Sequence, residues 1–334
     1  MLVKKSRFSV GLEIRCRFHW LKGIIMNDLW KNIRGLAVIS GAALLAACGG
    51  GGSSGGGSAA SDLTLDNDNL AEQTVEVAPG SDVRGILGLQ DDIGTGQALI
   101  LEVMGSLEPQ RTGSSDTISC EQGGTATVTD ESAGDRIDEK WLLQNCAINT
   151  QVLGSVILSG DYRFVASFSG DQEADSALEG FEAYDIEGIQ LSESEQINLR
   201  GRADFDYSRT GSSTSLIDTI SVFEFKVGDL YVAITDAETR LEGNELTLDF
   251  TTKGTLIGSA IGGFIQLSTP QVVKIDSGEV CPASGILRIA SIGVVEILFG
   301  TSTERDDDAV QIRVDGEVVD STLDCGAIGF IPQV

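Results

Sequence analysis

The sequence predicts an all-β protein, either an antiparallel sandwich or a strongly curved meander, with little helix. Three observations carry this. From about Thr117 onward, runs rich in Val, Ile, Thr, Phe and Tyr alternate apolar and polar residues with the two-residue period of half-buried strands. The links between runs are short and made of Gly, Ser, Asp and Asn, which favours hairpins over crossovers. No stretch holds a sustained 3.6-residue amphipathic period, which argues against an α/β layout. Such sheets hide their edges by closing or stacking.

The amino terminus is read as an address. Lys31 and Arg34 precede thirteen uncharged residues, Gly35 to Ala47, which as a helix span roughly 20 Å and fall short of a ~30 Å bilayer core. This is the h-region of a signal peptide at 26–47. It ends Leu45-Ala46-Ala47-Cys48, then Gly49. These residues resemble the lipobox of bacterial lipoproteins. The resemblance implies lipidation of Cys48, cleavage after Ala47 and membrane attachment through that lipid. Because Gly49, and not aspartate, follows the cysteine, it also implies an outer-membrane address, periplasm-facing or surface-exposed. Residues 1–25 precede a signal that is already complete, and are expected to be an upstream extension from a misassigned start, with initiation at Met26.

The formal net charge is −27, from 50 acids and 23 bases. Removing residues 1–47, with eight bases and two acids, leaves 15 bases and 48 acids, a net −33. A nucleic-acid backbone binder is excluded, because it needs a cationic face. Gly49 to Ser61 reads as a flexible tether of about 20 Å root-mean-square reach, completing a 48–61 segment. Residues 62–116 are expected to be an irregular lead-in, with Thr95 to Ser106 either a short helix or a buried strand. The β-rich domain then occupies 117–334. Its strands are placed at Thr125 to Thr129, Tyr162 to Phe168, Ile197 to Tyr207, Ile220 to Val227, Leu230 to Thr235, Leu241 to Thr251, Ile286 to Ile289 and Val310 to Val314. Gly254 to Ser268 reads as two tight strands around a glycine bend.

Cys120, Cys146, Cys281 and Cys325 form an even set in an exported chain, which implies disulfides with three connectivities open. Cys120–Cys146 and Cys281–Cys325 are favoured, since each pair brackets a plausible hairpin. This stapled layout, roughly over residues 117–325, loosely resembles uncharacterised lipoproteins of Gram-negative bacteria, a resemblance that implies no particular activity.

Chemistry is sparse. The only histidine is His19, outside the mature part, so Ser-His-Asp and Cys-His machinery cannot be built. No cofactor is expected. Calcium is the metal worth considering, through Asp66, Asp68, Asp306, Asp307 and Asp308. Asp130 to Trp141 imitates an EF-hand loop but misplaces the glycine and puts tryptophan where glutamate is needed. The expected function is a non-enzymatic envelope component, binding or structural, with an unknown protein or small-ligand partner. A carboxylate-dependent glycan hydrolase is the alternative, requiring two acids facing one cleft with one raised in pKa. A carrier of a lipid or small apolar ligand is another, requiring a cavity lined by residues such as Phe223, Phe225, Phe250 and Phe264.

Overall fold

Among the described residues fourteen strands follow one another along the chain and pair in that same order, each antiparallel to the next, in a single sheet. The structure is a computed structural model that describes residues 83–322 apart from 172–174, 245, 278, 280 and 305–308. The signal, Cys48, the tether, Asp66, Asp68, Asp306, Asp307, Asp308 and Cys325 lie outside the described residues. The strands are β1 (Ser115–Ser119), β2 (Thr125–Asp130), β3 (Arg136–Thr150), β4 (Gly154–Asp171), β5 (Asp175–Gln190), β6 (Glu195–Thr210), β7 (Ser213–Val227), β8 (Leu230–Asn244), β9 (Thr247–Gly258), β10 (Gly263–Asp276), β11 (Ser284–Ser291), β12 (Gly293–Gly300), β13 (Val310–Val314) and β14 (Glu317–Thr322). Of the two layouts expected, this is the meander; two stacked sheets are not what forms.

Among the described residues one α-helix, α1 (Val83–Leu107, 25 residues), precedes the sheet; it includes Thr95 to Ser106, the stretch expected as either a short helix or a buried strand, and extends it on the amino-terminal side. Its fully buried or nearly buried residues Leu89, Ile93, Ile100, Val103 and Leu107 recur at three- and four-residue steps, with Gly96 at the one vacant step of the stripe. That glycine hides the period from a sequence reading, yet the fold needs it. A Cβ there would lie 2.7 Å from Cγ of Phe225 and 2.9 Å from Cζ of Phe223.

The sheet curls around this helix. α1 touches β3 as well as β7 and β8. In a flat sheet β3 and β8 would stand roughly 24 Å apart, at about 4.8 Å per strand, and a helix about 10–12 Å wide could not reach both. Register shifts help the curvature, among them Leu143/Cys146 in β3, Arg202/Ala203 between β6 and β7, and Thr235/Glu238 in β8. The concave side holds one contiguous apolar core running from Ile118 of β1 to Ile312 of β13, and α1 is packed into it.

Several boundaries differ from those read in the sequence. Leu241 to Thr251 is the end of β8 and the start of β9, and the Asn244 side chain accepts the amides of Leu246 (2.8 Å) and Thr247 (3.1 Å) at the turn. β4 runs past Phe168 to Asp171, and Arg136 to Thr150, where no strand is placed from the sequence, forms β3. The glycine bend in Gly254 to Ser268 is found between β9 and β10. β14 went unread although Asp315-Gly316, both at positive φ (49° and 88°), is the two-residue hairpin signature.

Cys120 and Cys146 are bonded, with Cα atoms 5.3 Å apart, tying the end of β1 to β3 across β2. This is the one disulfide pair described, where two stapled hairpins were expected. The second expected pair includes Cys325, beyond the described residues.

Candidate functional site

Ladder partners share a face, so the register lays out the concave surface row by row. Two rows meet Gly96 of α1 through Phe225 and Phe223: Gly160–Ile186–Leu199–Phe225–Val232, and beside it Trp141–Tyr162–Tyr184–Gly201–Phe223–Ile234. The next row reads Glu139–Phe164–Glu182–Ala203–Ile220, and the one after Ile137–Ala166–Gly180–Phe205–Asp218–Thr239. The last, Phe168–Leu178–Tyr207–Leu216–Leu241, closes the long hairpins.

The rows differ in how well they are sealed. Trp141, Phe223 and Phe225 beneath α1 are buried. Beyond the reach of the helix, Phe164, Phe168, Phe205, Tyr207 and Leu216 remain half-buried on the same concave face. The Phe164 and Phe205 rings stack at 5.9 Å between centroids, 20° from parallel. Glycines make room for the rings. A Cβ on Gly180 would lie 2.0 Å from the Val165 carbonyl oxygen and 2.9 Å from Cζ of Phe205, and one on Gly201 2.5 Å from the Tyr184 ring. The result is an aromatic overhang, open to water on one side.

A polar belt crosses the face where helix-covered core gives way to overhang. Its first part is compensated. The Arg111 side chain, 7% exposed, donates to Glu139 at 2.7 Å, pairs with Asp130, and has Glu108 at 3.8 Å. Burial alone would push Asp130 up, but hydrogen bonds from Ser132 and the Arg111 charge outweigh it and hold that carboxyl below its usual range. Farther along, Thr239 and Thr252 bond through their hydroxyls at 3.2 Å.

The middle of the belt is uncompensated. Protein atoms surround Glu182 and Asp218 closely, although both keep some contact with solvent. Burial raises Glu182, and a hydrogen bond from the Tyr162 hydroxyl offsets this only in part. Burial, then repulsion from Glu182 and Asp204, raises Asp218 to about 7. Asp218 has no hydrogen-bond or ion-pair partner among the described residues. The Tyr162 and Tyr184 phenols are pushed well above their ordinary range, first by burial and then by the Glu182 charge.

The convex face shows the opposite habit. Asp138 binds Arg136 (2.6 Å) and Arg163 (3.0 Å), Arg202 binds Asp204 (2.6 Å), and Arg200 binds Glu224 (2.6 Å). Phe181 lies between the guanidiniums of Arg163 and Arg202, at 5.6 and 4.1 Å from its centroid. Those acids are matched and the two concave ones are not, although convex Asp185 is also raised, first by burial, with the Arg200 charge opposing it and Asp161 and Glu187 adding to it. Asp130 and Asp138, part of the EF-hand-like stretch, are engaged by these arginines.

An acid with a raised native pKa makes the folded state bind the proton more tightly, so stability falls as pH rises between the unfolded and folded values. For Asp218 that window runs from about 4 to about 7. Asp218→Asn is therefore expected to be more stable than the wild type at pH 8, on the order of 2 kcal/mol once partial solvation is allowed for, and equal to it near pH 4. Thermal melts of both proteins at the two pH values check this.

The structure separates the phenylalanines proposed to line a cavity. Phe223, Phe225 and Phe250 are in the main core, the first two against Gly96 of α1, while Phe264 packs with Tyr231, Ala233 and Ile257 in a separate cluster. No common cavity joins the four. Glu182, Asp218, Tyr162 and Tyr184 were not singled out from the sequence. The available signal was parity: in Phe181-Glu182-Ala183-Tyr184 and Leu216-Ile217-Asp218 the acid stands at the inward position of its strand. Glu182 and Asp218 flank β6, two ladder spacings and one row apart, about 12 Å along the backbone. The alternative of a carboxylate pair calls for one raised acid beside one that stays ionised, whereas burial raises both of these.

Among the described residues, no group of three metal-ligating side chains converges and no helix is long and apolar enough to cross a membrane. No protein-family description, curated protein or solved structure matches the chain.

Proposed function

We propose that the protein is a lipid-anchored component of the bacterial envelope, held at the outer membrane through Cys48, and that it works as a non-enzymatic binding module. The guest site is the aromatic overhang of the concave face. The observation that carries this reading is the half-buried state of Phe164, Phe168, Phe205 and Tyr207, next to a core in which rings of the same kind are sealed. Aromatic surface left open beside a few polar groups is how small-molecule sites are built. The tether supports a module displayed away from the bilayer. The second staple, Cys281–Cys325, belongs to the same reading and is supported by the disulfide-bonded state of Cys281.

Two arms test the proposal. Metabolic labelling with a palmitate analogue is expected to mark the wild type and fail on Cys48→Ala, which should also leave the membrane fraction; retained labelling contradicts the anchor. Titration with the neutral fluorophore N-phenyl-1-naphthylamine reads the overhang. Phe164→Ala/Phe205→Ala is expected to weaken binding at least tenfold, while Phe181→Ala on the convex face leaves it within twofold. Equal binding by all three proteins contradicts the site.

A further inference from the structure

Resting on that reading, we infer that the overhang is a site for an organic cation, an amine or guanidine carried on an apolar stem. The juxtaposition of Asp218 and Glu182 with the Phe164 and Phe205 rings points there. The two carboxyls stand on neighbouring rows on either side of β6, the first beside Phe205 and the second beside Phe164. Aromatic faces present negative potential and attract cations, more strongly where water is partly excluded. Carboxylates add to the same pull, and this stretch of the face supplies no cation of its own to satisfy them.

The charged groups around the site bear this out. Arg111 is the nearest guanidinium along the belt, and Asp130, Glu139 and Glu108 already engage it. Arg209, at the inward parity of β6 but at the hairpin rim, donates to the Gly211 carbonyl at 3.1 Å. Asp204 stands behind the sheet and is bound by Arg202. Glu182 receives the Tyr162 hydroxyl, and Asp218 receives nothing. A bound ammonium would supply the missing counter-charge, with its stem along the stacked rings. Ionised Asp218 holds it best, so affinity should climb as pH rises through the range near 7 where Asp218 gives up its proton.

The test compares 4-phenylbutylammonium with the neutral isostere 4-phenyl-1-butanol by calorimetry on the mature chain, residues 48–334. Salt at 0.3 M, where the Debye length is roughly 5–6 Å, suppresses diffuse attraction to the acidic surface. At pH 8 the wild type is expected to prefer the amine at least tenfold. Asp218→Asn, or a shift to pH 5.5, should reduce the preference to within about twofold, and Glu182→Gln should reduce it in part. Glu187→Gln, on the convex side of β5, should leave it unchanged. Equal affinity for the two probes at pH 8, or a preference that survives Asp218→Asn, overturns the cation assignment while the binding-module reading stands. Failure of both probes to bind overturns both.

Discussion

Gly96→Ala is expected to destabilise the protein by about 2–3 kcal/mol, while Gly94→Ala and Gly105→Ala in the same helix stabilise it by up to about 1 kcal/mol. All three substitutions add one methyl to a helical glycine, and on intrinsic propensity alone all three should help. They differ in what the methyl meets. Around Gly94 and Gly105 there is nothing within 4 Å, whereas at Gly96 the new carbon falls 2.7–2.9 Å from Phe225 and Phe223. Those rings are buried in the centre of the concave core and cannot step aside without opening it. Urea denaturation of the three variants, with an unchanged denaturant slope, checks the reversal of sign. A stabilised Gly96→Ala would mean that α1 does not rest on Phe223 and Phe225.

The second large effect is expected at Arg111. Arg111→Met leaves Glu139, 6% exposed, and the partly buried Asp130 without their cation, a loss of about 3–5 kcal/mol. Arg111→Lys should recover part of it, because a single ammonium cannot face both carboxylates as the planar guanidinium does. The pH dependence has a definite sign. Asp130 is held below its ordinary value in the wild type, so its contribution is complete above about pH 4 and is lost as acid protonates it in the fold. The gap between wild type and Arg111→Met is therefore expected to be widest from pH 5 upward and to narrow toward pH 3. Denaturation midpoints across that range measure it.

These two residues also mark where the sequence could and could not be read. Period-two alternation identified the β class, and it placed β6 and the latter part of β7 closely, because one face of each strand is apolar and the other polar. It missed β5, where Glu182 and Gly180 occupy inward positions, so the polar-apolar contrast that a strand normally writes is erased. It missed α1 for a parallel reason: Gly96 stands on the stripe where a large apolar residue would have completed the helical period. In both places the irregularity accompanies a packing feature. Gly96 admits two phenylalanine rings, Gly180 admits the Val165 carbonyl and Phe205, and Glu182 sits among aromatic residues. The acids of the belt were invisible among 50 because their significance lies in which strand neighbour they face. Register across β5, β6 and β7 depends on hairpins and a bulge that no local pattern specifies.

The most direct test of the account is a crystal structure of the protein with 4-phenylbutylammonium bound at pH 8. The expected result is ligand density on the concave face, with its ring against the stacked Phe164 and Phe205 and its ammonium within hydrogen-bonding distance of Asp218. Density elsewhere, for example in the shallow hydroxyl-lined groove formed by Ser208, Thr210, Ser213 and Asn244, would contradict it.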